Sequence, residues 1–203
     1  MFLVAIIALS LIAVPITGGR LSRLADMRLR GKSMIVCALA IQVVIVSVVP
    51  TGDPWLHRAF HLGSYLLAGA FLVANRHTPG FRLIGCGALF NAIAIFANDG
   101  VMPASSAALR TAGQLSSTND FVNSGLVAHP RLLFLGDIFA IPRSWPLHNV
   151  FSVGDVCIAT GAAIAIHVVC GSRLTAHRPS TITVARGCRS SSTCASSSDH
   201  TRP

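Results

Sequence analysis

Apolar residues along the chain are gathered into five long runs, separated by shorter stretches that contain charges, prolines or glycines. The first run, Phe2 to Thr17, carries no charge and is near the short end of what crosses a hydrocarbon core of about 30 Å. This pattern predicts an all-α fold, an integral membrane bundle of about five transmembrane helices. The predicted spans cover roughly residues 2–17, 33–49, 59–75, 83–98 and 156–172.

Composition supports a membrane environment. Of the 203 residues, 52% are apolar and only 11% are charged, which leaves too little polar surface for a soluble domain of this size. The expected partner of most of the surface is therefore the lipid bilayer.

Basic residues predict the orientation of the chain. Twelve of the sixteen Lys and Arg residues fall in the segment Gly19–Lys32, in the turn Arg76–Arg82 or beyond Cys170, which alternating spans place on one side. Loops rich in Lys and Arg stay on the cytoplasmic side, so the N-terminus is expected outside and the C-terminus in the cytoplasm of a multi-pass protein of the cell (inner) membrane. A signal peptide is the competing interpretation of the first run, but its basic residues would precede the run rather than follow it.

The net charge of +9 could also indicate nucleic-acid binding. The basic residues flank apolar spans and form no folded basic domain, so no nucleic-acid partner is expected.

The stretch between the fourth and fifth spans, residues 98–149, is a long and partly apolar outer loop. Pro103 to Leu115 could form a short helix capped by Ser105 or Ser106, because Ala and Leu dominate it. Three prolines, Pro130, Pro142 and Pro146, divide its second half into pieces too short to span. An interfacial or re-entrant element that folds over the bundle as a lid is the expected arrangement.

Residues 1–172 thus form one membrane domain, and residues 173–203 a cytoplasmic tail rich in Ser, Thr and Arg. The tail has too little apolar content to fold alone and is expected to be disordered. No cysteine lies in an outer loop, so no disulfide framework is predicted.

Four short segments stand out near the span ends: Gly18-Gly19-Arg20-Leu21-Ser22-Arg23-Leu24, Asn98-Asp99-Gly100-Val101-Met102-Pro103, Leu135-Gly136-Asp137 and Val150-Phe151-Ser152-Val153-Gly154-Asp155. In their order and placement they resemble a bacterial membrane family known as domain of unknown function 5317. The resemblance covers roughly residues 1–170, with one departure at Asp99, where the family pattern would read Asn-Gly-Gly. It implies the same membrane architecture and no known activity.

Asp155 opens the fifth span and has two interpretations. Ser152-Val153-Gly154-Asp155 has the spacing of a capping box, in which the Ser oxygen and the Asp carboxylate each accept from a backbone N–H of the first turn. An ionisable group at the mouth of a span can also belong to an ion or ligand path. Ser152 and Gly154 are structural under the first interpretation, and Asp155 binds ligand under the second.

Asp137 and Asp99 are further candidate ligand-binding residues. Asp137 is surrounded by apolar residues, so its carboxylate needs a partner if the loop is buried, and Arg131 or Arg143 could supply one. A local turn after Gly136 is the alternative. Asn98-Asp99-Gly100 also reads as a turn, with Pro103 as a structural residue just beyond it.

His57 and His61 lie one helical turn apart at the outer end of the third span, and they are also candidate ligand-binding residues. With the outer Asp side chains they provide the donors that a divalent metal uses, but no established metal motif is present. We therefore predict neither a metal site nor a cofactor. The chain also lacks a phosphate loop or a nucleophile elbow, so no catalytic residue is assigned.

Gln42 and Asn91 lie near the middle of their spans, where an unpaired amide is costly, so each is expected to face another helix as a structural residue. In the fifth span, small residues at 159/163 and 161/165 could pack within the bundle or against a membrane-protein partner or second copy. The expected function is that of a small non-enzymatic accessory or interaction protein. The alternative is transport or ligand handling under the 98–149 loop.

Overall fold

The computed structural model describes residues 2–47, 54–114, 124–125, 127 and 129–175. Its fold is all-α in its main elements, as predicted, and each apolar run forms one long helix. The long helices are α1 (Phe2–Ile16), α3 (Lys32–Ser47), α4 (Pro54–Ala74), α5 (Phe81–Ala97) and α7 (Val153–Cys170). Two short helices are α2 (Ser22–Ala25) and α6 (Ser106–Ala112). The predicted tail from residue 176 onward and residues 48–53, between the second and third predicted spans, lie outside the described residues.

Within the described residues, one helix is both long and apolar enough to cross a membrane by itself, namely α7 with 18 residues. Four shorter apolar helical stretches accompany it: Phe2–Ile16, Lys32–Val44, Leu62–Ala74 and Phe81–Ala97. The predicted third span begins at residue 59, whereas α4 begins at Pro54, because Pro is well suited to the first turn of a helix.

The long helices pack as a series of neighbours in the order α3, α4, α5, α7 and α1. The α5–α7 contact is the most extensive, and glycine is the reason. A Cβ atom on Gly87 would overlap the carbonyl oxygen of Gly154, and one on Gly80 would overlap that of Gly161. The two backbones therefore approach more closely than larger side chains would allow.

The described residues between α5 and α7 fold into a small cap. Strand β1 (Met102–Pro103) pairs in parallel with β2 (Ser124–Gly125), and β3 (Phe139–Ile141) pairs antiparallel with β4 (Asn149–Phe151). A 3₁₀ turn, Leu133–Leu135, lies between the two pairs. Helix α6 packs on β3 and β4 around a hydrophobic cluster of Ala104, Ala108, Leu109, Ala112 and Val150.

The predicted short helix is present as α6, but the hydrogen bonding at its N-terminus differs from the prediction. Ser105 occupies the N-cap position, yet its side chain makes no capping hydrogen bond. Its backbone N–H instead donates to the carbonyl oxygen of Asp137 at 3.0 Å. The start of α6 is thus fixed by the neighbouring segment of the cap.

Aromatic rings attach the cap to the start of α1. Phe151 of β4 stacks on Phe2 with a centroid distance of 4.2 Å and on Phe139 of β3 at 5.3 Å. We call the end of the bundle that carries the cap the cap end.

The opposite end, where α1, α4 and α7 finish and α3 and α5 begin, is the basic end. Here the chain after α1 is hydrogen-bonded to the end of α7. The Arg20 N–H donates to the carbonyl oxygen of Cys170 at 2.9 Å, and the hydroxyls of Thr17 and Ser172 are 2.5 Å apart. A Cβ atom on Gly19 would lie 2.9 Å from Val14 and 3.2 Å from the Cys170 oxygen, so glycine permits this contact.

Candidate functional site

A closed hydrogen-bond network joins α5 to the start of α7 at the cap end. The Ser152 hydroxyl accepts from the Asp155 N–H at 3.0 Å, and Asp155 Oδ2 accepts from the Ser152 N–H at 3.0 Å. The structure therefore contains the capping box that the sequence predicts. It also adds a third member, since Ser152 donates its hydroxyl proton to Asn91 Oδ1 at 2.8 Å and Asn91 Nδ2 donates to Asp155 Oδ1 at 2.9 Å.

The network is important for stability because Ser152 is buried. Ser152 is 0% exposed, so a lost hydrogen bond there would leave a polar atom without water. Both Asp155 oxygens accept from protein donors, and the N-terminus of α7 favours the negative charge. A Cβ atom on Gly154 would overlap the Asn91 side chain, so Gly154 is what lets the amide reach both partners.

Asp137 lies in a different part of the cap end. It is only 4% exposed, and its backbone N–H donates to the carbonyl oxygen of Pro103 at 2.9 Å. Pro103 is itself fully buried, and a Cβ atom on Gly136 would overlap its carbonyl oxygen. The cap therefore places a buried carboxylate beside β1 and holds it there through its backbone.

Asp99 has an exposed side chain and a left-handed backbone with a φ of 57°. It forms the turn after α5 together with Gly100, whose N–H donates to the carbonyl oxygen of Ile95 at 2.9 Å. This geometry places Asp99 in the turn that ends the helix.

The histidine pair gives no metal site that can be described. His57 and His61 fall in the first turns of α4, but their side chains lie outside the described residues. Among the side chains that the structure does describe, no group of three or more His, Cys, Asp or Glu residues could hold a metal ion.

A family model described as a family of unknown function (DUF5317) matches residues 26–167, which is well over half of the chain. The chain belongs to the DUF5317 family. It is also 29% identical over 111 residues to an uncharacterized protein of Thermotoga maritima, which covers 55% of this chain and 64% of that relative. The match spans less than two thirds of the relative's length. No solved structure matches the chain.

In this DUF5317 protein, the polar residues predicted inside spans contact neighbouring helices. Gln42 of α3 donates its Nε2 proton to the Ser64 hydroxyl of α4 at 2.7 Å, and Ser64 is 1% exposed. Asn91 bridges α5 and α7 as described above. Each amide thus joins two helices inside the bundle.

Two asparagines for which the sequence predicted no partner make a repeated structural motif. Asn75, just after α4, accepts from the Arg30 N–H and donates to the Arg30 carbonyl oxygen, both at 2.8 Å. Asn98, just after α5, makes the same pair of bonds to Arg131, at 2.8 and 2.7 Å. Each also donates to the carbonyl oxygen four residues earlier in its own helix. An Asn directly after a long apolar run is the sequence signal that could have indicated them.

Proposed function

We propose that this protein is a five-span protein of the cell membrane that acts as a small non-enzymatic accessory or interaction protein. In this proposal α1, α3, α4, α5 and α7 cross the bilayer, the cap faces outward and the basic end faces the cytoplasm. The proposal rests on the distribution of exposed apolar side chains over the long helices.

Each long helix exposes large apolar side chains that a soluble protein would bury. The exposed fractions reach 79% at Ile16, 62% at Val36 and 65% at Leu66. Exposure of so many large apolar side chains is rare on soluble monomers and is what a lipid-facing surface requires. Further members of this surface are Val4, Leu9, Ile12, Leu39, Val43, Val73, Leu89, Ile93, Phe96, Val156, Ile164 and Val168.

Charge asymmetry supports the orientation. The described Lys and Arg residues at the basic end are all exposed: Arg20, Arg23, Arg28, Arg30, Lys32, Arg76, Arg82 and Arg173. Among the side chains that the structure describes, the cap end has Arg110, Arg131 and Arg143, together with the acidic Asp99, Asp137 and Asp155. An excess of Lys and Arg at one end of a bundle favours the cytoplasm for that end.

The long helices can cross the membrane if the bilayer becomes thinner around them. Helix α5, with 17 residues, is about 25 Å long, and α1, with 15 residues, is about 22 Å long. A hydrocarbon core of about 30 Å is thicker than this, but local thinning and flanking Lys or Arg side chains accommodate short spans at modest cost.

The non-enzymatic role is supported by the hydrogen-bond network at the start of α7. Its Ser, Asp and Asn side chains bond to one another and to backbone groups of the same turn, which is the arrangement of a structural joint. The small residues Gly154, Gly161 and Ala165 are buried within the chain. A membrane-protein partner or second copy would instead meet the face of α7 formed by Val156, Thr160, Ile164 and Val168, which are exposed at intervals of one turn.

A cysteine-labelling experiment tests the membrane location and the orientation. We would keep Cys188 as the single cysteine and treat intact cells with an impermeant thiol reagent. We expect Cys188 to react only after lysis, since the tail is cytoplasmic in the proposal, and the protein to stay with the membranes after carbonate extraction. Labelling in intact cells would contradict the orientation, and release by carbonate would contradict the membrane location.

Asp137 favours one alternative, a transport or ligand-handling protein with its site under the cap. A carboxylate that is 4% exposed in an apolar region is unusual and often functional. Native mass spectrometry of gently extracted protein separates the two functions. A small-molecule or metal adduct that Asp137→Asn removes, without loss of folded protein, would favour ligand handling. A bare protein or a complex with another membrane protein, unchanged by Asp137→Asn, would favour the accessory function.

A further inference from the structure

Three arginines from two distant parts of the sequence are brought together at the basic end. The Asn75 amide fixes the backbone of Arg30 through two hydrogen bonds of 2.8 Å each. Arg76 follows Asn75 directly, and Arg82 Nε donates to the Arg76 carbonyl oxygen at 3.3 Å. The backbones of Arg30 and Arg76 and the side chain of Arg82 therefore lie close together, where α4 ends, α5 begins and the chain enters α3. We call these three residues the arginine cluster.

The arginine cluster has little compensating charge in the protein. All three side chains are exposed, and five more of the described Lys and Arg residues lie at the same end of the bundle. Asp26 is the one acidic residue in the described part of this end. An external anion would offset this excess of positive charge, and the planar donor forks of arginine match the oxygens of a phosphate.

We propose that the arginine cluster binds the phosphate of an anionic phospholipid headgroup in the leaflet that faces the basic end. This inference depends on the proposed membrane location. The adjacent surface favours a lipid over a free anion, because exposed apolar side chains begin within about two helical turns of the cluster. Val73 of α4 is 60% exposed and Val36 of α3 is 62% exposed, so acyl chains can lie along these helices below a headgroup held by the cluster. A zwitterionic headgroup is disfavoured, since its ammonium group would add to the positive charge.

The test uses the full-length protein in a neutral detergent. Phosphatidylglycerol is titrated in, and the bound lipid is measured by native mass spectrometry, with phosphatidylcholine and inorganic phosphate as separate probes. The test variant is R30Q/R76Q/R82Q. The matched control is R110Q/R131Q/R143Q, which removes the same charge from three exposed arginines at the cap end.

We expect the native protein to bind phosphatidylglycerol in preference to phosphatidylcholine. The test variant should lose about fivefold in affinity for each arginine removed, which corresponds to about 1 kcal/mol for each basic residue near an anionic surface. The cap-end control should keep the native affinity. Equal binding of the two lipids, or equal losses in the two triple variants, would overturn the proposal. Inorganic phosphate that displaces the lipid and binds equally well would identify a free-phosphate site instead and overturn the lipid assignment.

The single variant R82Q covers the case in which the triple variant does not fold, because it removes one exposed side chain and leaves the Asn75 bonds in place. It should lose about fivefold in affinity for phosphatidylglycerol, and an unchanged affinity would count against the cluster. Failure of this inference is distinguishable from failure of the proposed function. A protein that stays in carbonate-washed membranes but shows no lipid preference contradicts only the arginine cluster. A protein that carbonate releases contradicts the membrane location itself.

Discussion

Gly87 of α5 and Gly154 of α7 face each other so closely that a methyl group on either would run into the backbone of the other. The same relationship recurs between Gly80, which is seven residues before Gly87, and Gly161, which is seven residues after Gly154. Seven residues are about two helical turns, so both pairs lie on the same antiparallel interface. This interface holds α7, which among the described helices is the one long and apolar enough to cross a membrane by itself, against α5.

Gly87→Ala should therefore destabilise the protein. The new Cβ atom would lie 2.9 Å from both Cys157 Cβ and Ile158 Cγ1, in addition to meeting the Gly154 backbone. We expect a loss of about 1–3 kcal/mol, typical of overpacking in a well-packed interface. Thermal unfolding in detergent, followed by circular dichroism, measures the change.

The matched control is Gly85→Ala in the same helix. No atom lies within 4 Å of a Cβ placed on Gly85, and alanine is the better helix former by about 0.5–1 kcal/mol. Gly85→Ala should therefore be neutral or stabilising. If the two variants melt at the same temperature, the close packing of α5 on α7 is incorrect.

Asp155 should be sensitive even to its closest polar substitute. An alanine loses both carboxylate hydrogen bonds, and we expect a cost of roughly 2–3 kcal/mol. In Asp155→Asn one carboxylate oxygen becomes an NH₂ group, which cannot accept a hydrogen bond. One of the two donors, Asn91 Nδ2 or the Ser152 N–H, therefore loses its acceptor. We expect a loss of roughly 1 kcal/mol for this variant. The order of melting temperatures should be native, Asp155→Asn, then Asp155→Ala, and a fully tolerated alanine would contradict the capping network.

The long elements of this fold were predictable from sequence because each is a single apolar run. Helix α5 illustrates this, since the predicted 83–98 became Phe81–Ala97. The capping box was also predictable, because Ser152 and Asp155 are three residues apart and act locally. In contrast, the Asn91 bonds connect residues more than sixty positions apart, and only the packing of α5 on α7 brings them together.

The cap was predicted less well, for a physical reason. Strands β3 and β4 have three residues each, too few to give a visible alternation, and Pro142 and Pro146 lie in the connection between them. Their pairing is stabilised by α6 and by the aromatic stacking on Phe151, which are tertiary contacts. The placement of Asp137 beside Pro103 arises in the same way and could not be derived from local sequence.

Asn75 and Asn98 provide a paired prediction about local stability. Asn75→Ala should increase hydrogen exchange in residues 28–31, because the Arg30 backbone loses both bonds to the amide. Asn98→Ala should do the same around Arg131 and leave residues 28–31 unchanged. Each variant is thus the control for the other, and mass spectrometry of peptides from the exchanged protein measures both. Exchange that rises equally in both segments, whichever Asn is replaced, would mean that the asparagines act on global stability alone.

Trp145 can report whether the cap touches the membrane. It lies in the connection between β3 and β4 and is 65% exposed, and Trp55 is the only other tryptophan in the chain. Aromatic side chains of this kind concentrate at the membrane–water interface, so in the proposed bilayer Trp145 should lie at headgroup level. In a Trp55→Phe protein reconstituted into vesicles, its fluorescence should be quenched more by lipids brominated near the headgroup than by lipids brominated near the chain end. Emission typical of water, with no quenching by either lipid, would mean that the cap projects away from the bilayer.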